Sequence, residues 1–273
     1  MIAPRRPVTG RLVFICALVG LASCSAAGLE LPNYGFYGFA PRPDGALLAP
    51  GTSAERVSGI EGDTAVVAEG TVTLDTTRMG PEGGWILARR TPMLDGSQVE
   101  DSVWLDRWSL RTIATWRRDA SGEYRMRLNR RAVQIERRGI NGRTLTRNVL
   151  LQAEPYALAG IDLILSTLPL SSGYNGSLPM VLESTPDELQ WMKFVVSRGE
   201  SLVMMQRGSV SFRPTWLIVT ELAGVTRRYW VAGDDRAVLR REEPAADGST
   251  VRLVRGGKVP RVELAPVEAL PLN

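Results

Sequence analysis

The side chains that most often carry catalysis are scarce in this chain of 273 residues. Histidine is absent, which excludes imidazole general-base catalysis, histidine-containing triads and the commonest zinc ligand. Asp234 with Asp235 is typical of a turn, and Glu242 with Glu243 is typical of a solvated strand end. Neighbours on a strand face opposite sides, so neither doublet is by itself a cooperating pair. We therefore predict no catalytic residue, and a carboxylate-dependent glycan hydrolase is the least favoured function.

Motifs for covalent chemistry and for cofactors are also missing. Lys193 and Lys258, which are the only lysines, do not lie in a Ser-x-x-Lys arrangement, so serine–lysine acyl transfer is not supported. The sequence has neither a Walker phosphate loop nor a dinucleotide glycine fingerprint. The two cysteines, Cys16 and Cys24, both lie near the N terminus. The sequence accordingly predicts no metal site and no cofactor.

The N-terminal segment 1–23 has the features of a secretory signal. Three arginines come first, an apolar stretch follows over residues 12–22, and Ser23 and Cys24 come next. The stretch is shorter than the roughly 18 residues that a membrane span needs. Residues 21–24 (Leu-Ala-Ser-Cys) resemble the bacterial lipobox, whose cysteine thiol receives diacylglycerol before cleavage. We expect a lipoprotein signal peptide over 1–23 with Cys24 as the lipid anchor; an ordinary secretory signal and an uncleaved anchor are the alternatives.

Acylation at Cys24 would determine where the protein resides. Each buried methylene contributes about 0.8 kcal/mol, so two or three acyl chains hold a protein on a membrane. Ser25 follows the acylated position, whereas an Asp there resembles the inner-membrane retention signal of enteric bacteria. The expected location is the cell envelope, on the inner leaflet of the outer membrane and facing the periplasm. The membrane is then the first expected partner.

Removal of the leader changes the charge of the chain. The full chain has 33 basic and 29 acidic residues, a net charge of +4. Loss of Arg5, Arg6 and Arg11 leaves 30 basic residues against 29 acidic ones, a net charge of +1. A nucleic-acid partner, which requires a persistent basic face, is therefore not expected.

Residues 24–66 are predicted to form a flexible tether. Prolines and glycines alternate through this segment, which disfavours a regular element. It contains a cluster of aromatic residues that is either a docking patch for an envelope protein or a segment that folds back on the domain or the lipid surface. The cluster consists of Tyr34, Phe36, Tyr37 and Phe39.

From residue 67 the sequence alternates with period two, which indicates half-buried antiparallel strands. Tyr124, Met126 and Leu128 share one face of such a strand, and Asn141 with Gly142 supplies a tight hairpin turn. We expect about ten to twelve strands over 67–257, followed by a loose tail over 258–273. The predicted class is mainly β.

The segment 155–168 interrupts the alternation and predicts a helix. It starts with Pro155 and is apolar on nearly all sides, with Leu158, Ile161 and Leu165 on one face and Asp162 as its sole charge. A helix that is apolar all round must be buried, and the concave face of a curved sheet would bury it. We predict that Leu158, Ile161 and Leu165 act as a plug that an apolar ligand displaces.

Three tryptophans are further candidates for contact with a ligand. Large aromatic residues usually pack in the cores of β proteins, so core packing is the first interpretation. The alternative is that they line an apolar cavity. These candidates are Trp191, Trp216 and Trp230.

Short motifs over residues 160–242 resemble the DUF3108 family of bacterial envelope proteins. The resemblance extends over about residues 67–255, and the glycine expected shortly before Glu200 is here directly adjacent to it, at Gly199. The matching residues are Leu168, Pro169, Leu170, Gly173, Tyr174, Leu178, Pro179, Val195, Val196, Glu200, Trp216, Trp230, Val231, Val238, Leu239 and Arg240.

The DUF3108 resemblance implies a fold similar to the LolA/LolB superfamily. In that fold a strongly curved antiparallel sheet forms an open half-barrel with one helix in its mouth, and members of the wider group bind acyl chains or lipoproteins in the concavity. The resemblance implies a non-enzymatic binding or carrier module for an apolar ligand, a lipid or an acyl chain. The alternative is a structural lipoprotein that docks on an envelope assembly through the tether aromatics or an exposed sheet edge.

Overall fold

The computed structural model describes residues 42–59, 66–79, 82–92, 97–206, 209–244 and 250–258. The predicted signal peptide 1–23, the anchor Cys24 and most of the predicted tail lie outside these residues. So does the aromatic cluster of Tyr34, Phe36, Tyr37 and Phe39.

The described chain is mainly β, as predicted. It has one α-helix, α1 (Ile161–Ser166), and two short 3-10 turns, Gly45–Leu47 and Leu158–Gly160. The strands are β1 (Gly51–Gly59), β2 (Val66–Thr77), β3 (Gly84–Pro92), β4 (Gln98–Asp106), β5 (Thr112–Asp119), β6 (Gly122–Asn129), β7 (Ala132–Gly139), β8 (Thr144–Leu150), β9 (Tyr156–Ala157), β10 (Asn175–Val181), β11 (Leu189–Arg198), β12 (Leu202–Gln206), β13 (Ser209–Arg213), β14 (Thr215–Leu222), β15 (Val225–Ala232), β16 (Val238–Pro244) and β17 (Thr250–Lys258).

Fifteen of these strands form one large sheet. Their order is β8-β7-β6-β5-β4-β3-β2-β1-β17-β16-β15-β14-β11-β10-β9, and β12 with β13 forms a separate hairpin. Neighbouring strands are antiparallel, except for the short parallel pairing of β9 with β10. Most neighbours are therefore consecutive in the chain and joined by hairpins, and β1 and β17 meet in the middle of the sheet.

The sheet curves until its two ends face each other. Met126 of β6 and Ile135 of β7 are buried in one cluster with Ala157 of β9 and Val181 of β10. An ion pair between Arg147 of β8 and Asp187, at 3.1 Å, also joins the two ends. Within the described residues no strand pairing links β8 to β9, so the sheet is strongly curved and not a closed barrel. This confirms the predicted open, curved antiparallel sheet.

The prediction of a flexible tether is wrong for residues 42–59, the larger part of the segment that the structure describes. β1 lies in this segment and pairs with β2 and β17, and its Thr52 and Glu55 are buried. Before it, Asp44 caps a 3-10 turn by accepting a hydrogen bond from the Ala46 N–H at 3.0 Å. The described glycines of this segment lie in the 3-10 turn, at Gly45, and at the two ends of β1, at Gly51 and Gly59. At the other end of the domain, β17 includes Lys258, the first residue of the predicted tail.

The helix is also shorter than predicted. Tyr156 and Ala157 extend as β9 alongside Met180 and Val181, and a 3-10 turn precedes the six residues of α1. A continuous apolar run is compatible with a buried strand as well as with a buried helix. Here the first residues of the run form a strand because they pair with β10. The number of strands likewise exceeds the expected ten to twelve.

Candidate functional site

The interior of the curve is occupied by α1. All six of its residues are buried, which confirms the predicted burial of the apolar helix. Ile161 and Leu165 belong to a large core cluster that includes Leu87 of β3 and Leu105 of β4, and Leu158 packs against this cluster from a half-buried position. Removal of this apolar surface from water holds the helix on the sheet.

The charged residue of this helix, Asp162, is the centre of a buried ion network. Its Oδ2 accepts hydrogen bonds from Arg89 of β3 at 2.8 Å and from Arg255 of β17 at 3.1 Å. Its Oδ1 accepts one from Arg241 of β16 at 3.4 Å. One helical carboxylate is therefore held by β3, which precedes the helix in the sequence, and by β16 and β17, which follow it.

A second group of carboxylates balances the three arginines. Arg89 pairs with Asp101 at 3.2 Å, Arg241 with Glu243 at 3.5 Å and Arg255 with Glu55 at 3.8 Å. Each buried guanidinium thus contacts Asp162 and one further carboxylate. A buried charge requires this kind of compensation because the protein interior solvates ions poorly.

The arginines keep Asp162 ionised. Burial alone would raise the pKa of this carboxyl group, but the positive charges of Arg241, Arg89 and Arg255 outweigh the effect of burial and hold the pKa well below its usual range. A carboxylate that is ionised, buried and fully engaged is not suited to move protons at neutral pH. We assign Asp162 the structural role of fixing α1 to the sheet.

The concave face of β5–β8 changes from apolar to charged along the strands. Residues directly opposite in antiparallel strands share a face. Near one end of these strands, Val133 lies opposite both Leu128 and Val149 on its two neighbouring strands. In the middle of the strands, Met126 lies opposite Ile135. Near the other end, the opposed row consists of Arg117, Tyr124, Arg137 and Leu145.

A cavity lies at each end of strands β5–β8. The first, which we call the apolar cavity, has a volume of about 520 Å³. Its apolar lining is Met79, Ile113, Ala114, Leu128, Ala132, Val133 and Val149, and its polar lining is Arg127, Asn129, Gln134 and Asn148. This size and composition are typical of sites for small apolar ligands, which have a mostly hydrophobic wall and a few polar groups.

The second cavity, which we call the charged cavity, has a volume of about 820 Å³. Seven arginines and five carboxylates line it, together with Tyr124 and Tyr229. Leu158 and Ile161 contribute to its wall, whereas Leu165 does not. The predicted apolar hollow beside the helix is therefore a packed core on one side and a charged cavity on the other. The helix cannot leave this position without breaking the ion network of Asp162.

The three candidate tryptophans do not come together. Trp191 is exposed, Trp216 is half-buried against the core, and Trp230 is buried with the Arg240 guanidinium 3.7 Å from its ring centroid. Neither the apolar nor the charged cavity has any of them in its wall. The structure gives packing contacts to Trp216 and Trp230, and the role of all three tryptophans in ligand binding stays a prediction.

The carboxylate doublets are engaged by arginines. Asp234 and Asp235 both form ion pairs with Arg213. Glu242 pairs with Arg252 at 2.9 Å, and Glu243 faces the charged cavity. Among the described residues, no group of three His, Cys, Asp or Glu side chains is placed to hold a metal ion. In the same part of the chain, no helix has both the length and the apolar character to cross a membrane.

Comparison with known proteins gives a likeness in fold. No protein-family model and no curated protein matches the chain, and membership of the DUF3108 family stays a prediction. A solved structure, the beta-barrel-like protein of domain of unknown function DUF1849 from Brucella abortus, is similar to this chain at 10% sequence identity. The match covers 81% of this chain and 99% of that one, with a TM-score of 0.49. In its described residues, the chain itself forms an open, strongly curved and almost entirely antiparallel sheet.

Proposed function

We propose that this protein is a non-enzymatic binding module of the bacterial envelope, held on a membrane by acylated Cys24, that binds an apolar chain in the apolar cavity. The observation that carries the proposal is this cavity, with its predominantly hydrophobic wall at one end of strands β5–β8. The ligand is a lipid or a single acyl chain.

The position of the apolar cavity supports this function. The last residues of β6 and β8 and the first residues of β5 and β7 form its wall. The cavity therefore lies where these four strands end. Leu128 and Val133 are buried at its base, whereas Ala132 is exposed at its rim. An acyl chain that enters from the rim would cover the apolar side chains and leave its head group near Asn129 and Asn148.

Photocrosslinking tests this function directly. The full-length protein, purified in a neutral detergent, is mixed with a diazirine-bearing fatty acid, irradiated and mapped by peptide mass spectrometry. We expect crosslinks within residues 113–149. The variant Ala132→Trp, which fills the rim of the cavity, should reduce them at least about fivefold.

A matched variant controls for the added tryptophan. Ala120 is exposed in the turn between β5 and β6 and lines neither cavity, so Ala120→Trp should crosslink like the unsubstituted protein. Equal labelling of the two variants, or labelling confined to the lipid-bearing N terminus, would refute the proposed site.

A second candidate function is docking on an envelope assembly, and the edge strand β8 favours it. All but one of its seven residues are exposed, and β7 is its one strand neighbour among the described residues. Such an edge is a template for a strand of another protein. A photoreactive residue at Thr146 should then capture one stoichiometric protein partner, and the same label at Tyr34 or Phe36 tests the aromatic cluster. Recovery of lipid alone would count against docking.

A further inference from the structure

The charged cavity lies at the opposite end of the concave face from the apolar cavity and has a different chemistry. A row of directly opposed residues crosses its wall on five adjacent strands and continues onto β8. The row consists of Arg89, Asp101, Arg117, Tyr124, Arg137 and Leu145. Three of these six residues are arginines, and they share one face of the sheet.

Two arginines at the rim of the charged cavity form no direct ion pair with a carboxylate of the described residues. Arg137 donates a hydrogen bond to the main-chain carbonyl of Glu183 at 2.8 Å, and its guanidinium lies 5.3 Å from the ring centroid of Tyr124. Among the described residues, neither Arg137 nor Arg143 forms an ion pair, although both line the cavity. Neither guanidinium group is therefore held by a direct carboxylate contact, although the charge of Arg137 also acts on Glu183 in the same wall.

Two arginines in the wall carry buried donors without an acceptor. The Nε–H groups of Arg89 and Arg241 have no hydrogen-bond partner, and both side chains line the cavity. The side chain of Arg89 is only 10% exposed. Buried donors of this kind are rare in folded proteins and call for an ion, a water molecule or a ligand as their acceptor.

The wall also has surface for the rest of a ligand. Leu158, Ile161 and Leu182 are apolar, and Tyr124 and Tyr229 offer rings and hydroxyl groups. A volume of about 820 Å³ is far larger than a single inorganic anion needs and lies within the range of sites for small organic molecules. The planar fork of arginine matches carboxylate and phosphate oxygens.

We propose that the charged cavity binds an organic oxyanion, such as a phosphorylated or carboxylated sugar, with Arg137 and Arg143 as its first contacts at the rim. The oxyanion lies against the arginine row, and the uncharged part of the ligand covers the side chains of the helix and of Leu182. This site is separate from the apolar cavity, because the buried Met126 and Ile135 fill the face between them.

Isothermal titration calorimetry tests the proposal on the full-length protein in a neutral detergent at about 50 mM salt. The probes are glucose 6-phosphate, galacturonate and glucose. We expect saturable one-to-one binding of at least one anionic sugar and no binding of glucose. The two anions separate a phosphate site from a carboxylate site.

Variants assign the binding to the cavity. Arg137→Gln with Arg143→Gln should weaken the affinity at least tenfold. Arg130→Gln with Arg131→Gln removes the same charge from the exposed turn between β6 and β7, outside both cavities, and should leave affinity within about twofold. Circular dichroism melting verifies that both variants fold.

Three outcomes would overturn the assignment. They are the absence of saturable binding for both anions, equal binding of glucose, and equal loss in the two double variants. Because the photocrosslinking test uses other residues and another ligand, failure of this site leaves the apolar-chain proposal standing, and the reverse also holds.

Discussion

Asp162 of α1 and Arg89 of β3 are joined by a hydrogen-bonded ion pair of 2.8 Å across 73 residues of sequence. The same guanidinium also donates to the main-chain carbonyl of Ala159 at 2.9 Å. Arg89 therefore binds both the turn that precedes the helix and the carboxylate of the helix itself. This pair, with Arg241 and Arg255, fixes the helix inside the curve of the sheet.

Loss of the Asp162 carboxylate should be among the most damaging single changes in the protein. Asp162→Asn leaves three buried guanidinium groups without their shared anion, and we expect a loss of about 3–5 kcal/mol in the free energy of unfolding. Urea titration followed by tryptophan fluorescence measures it. The matched change Asp187→Asn removes a carboxylate from the exposed pair with Arg147 and should cost no more than about 1 kcal/mol. Equal effects would contradict the anchoring role of Asp162.

The stabilisation from Asp162 should depend on pH in a defined direction. Because the arginines lower the pKa of the folded carboxyl against the effect of burial, its contribution is complete above the ordinary pKa of 3.8 and declines as the pH falls below it. The difference in unfolding free energy between the unsubstituted protein and Asp162→Asn should therefore be constant from pH 7 to pH 5. It should shrink at pH 3. A difference that grows towards acid would be inconsistent with an ionised Asp162.

The dependence of stability on pH should have the opposite sign for Glu183. Burial raises its pKa, and the carboxylates of Asp101 and Asp119 add to this against the opposing charges of Arg117 and Arg137. Ionisation of Glu183 in the folded state is therefore unfavourable, and its contribution to stability is lost as the pH rises through the folded pKa. Glu183→Gln should raise the melting temperature at pH 8 and leave it unchanged at pH 4.

A carboxylate in the same loop provides the comparison for Glu183. Glu188 is exposed, so Glu188→Gln should leave the melting temperature nearly unchanged at both pH values. A lower melting temperature for Glu183→Gln at pH 8 would show that the buried carboxylate is stabilising and would contradict the expected sign.

A substitution in the turn before β1 should destabilise the protein as much as a substitution in the core. A Cβ atom at Gly45 would overlap the main-chain carbonyl of Arg107, so Gly45→Ala should destabilise the protein by about 1–3 kcal/mol. Gly51→Ala, at a position with no atom within 4 Å of the added Cβ, should change stability by less than about 1 kcal/mol. Chemical unfolding measures both. Equal, small effects would mean that the domain does not depend on this segment.

The lipid anchor has its own test. Labelled palmitate should be incorporated into the expressed protein and lost in Cys24→Ala, because the thiol of Cys24 is the expected acylation site. Cys16→Ala, within the leader, should keep the label. Label that persists in Cys24→Ala would exclude the lipoprotein assignment without affecting either cavity.

The fold class was accessible from local sequence because alternation and hairpin turns are local signals. Tyr124, Met126 and Leu128 display their common face directly, and Asn141 with Gly142 marks a turn that the structure contains. The extent of α1 was not accessible in this way, since the pairing of β9 with β10 depends on residues some 24 positions away. The same limit applies to β1, whose partner β17 lies at the far end of the domain.

By itself, the sequence determined a mainly β chain of antiparallel strands and a buried apolar helix, because side-chain periodicity and hairpin turns are local signals. Only the tertiary structure decided the surroundings of Asp162, which look like one isolated charge in the sequence. Its partners Arg89, Arg241 and Arg255 come from strands up to 93 residues away. Electrostatic compensation acts between groups that folding brings together, and no spacing along the chain encodes it. The apolar and the charged cavity likewise depend on groups that folding brings together from several strands.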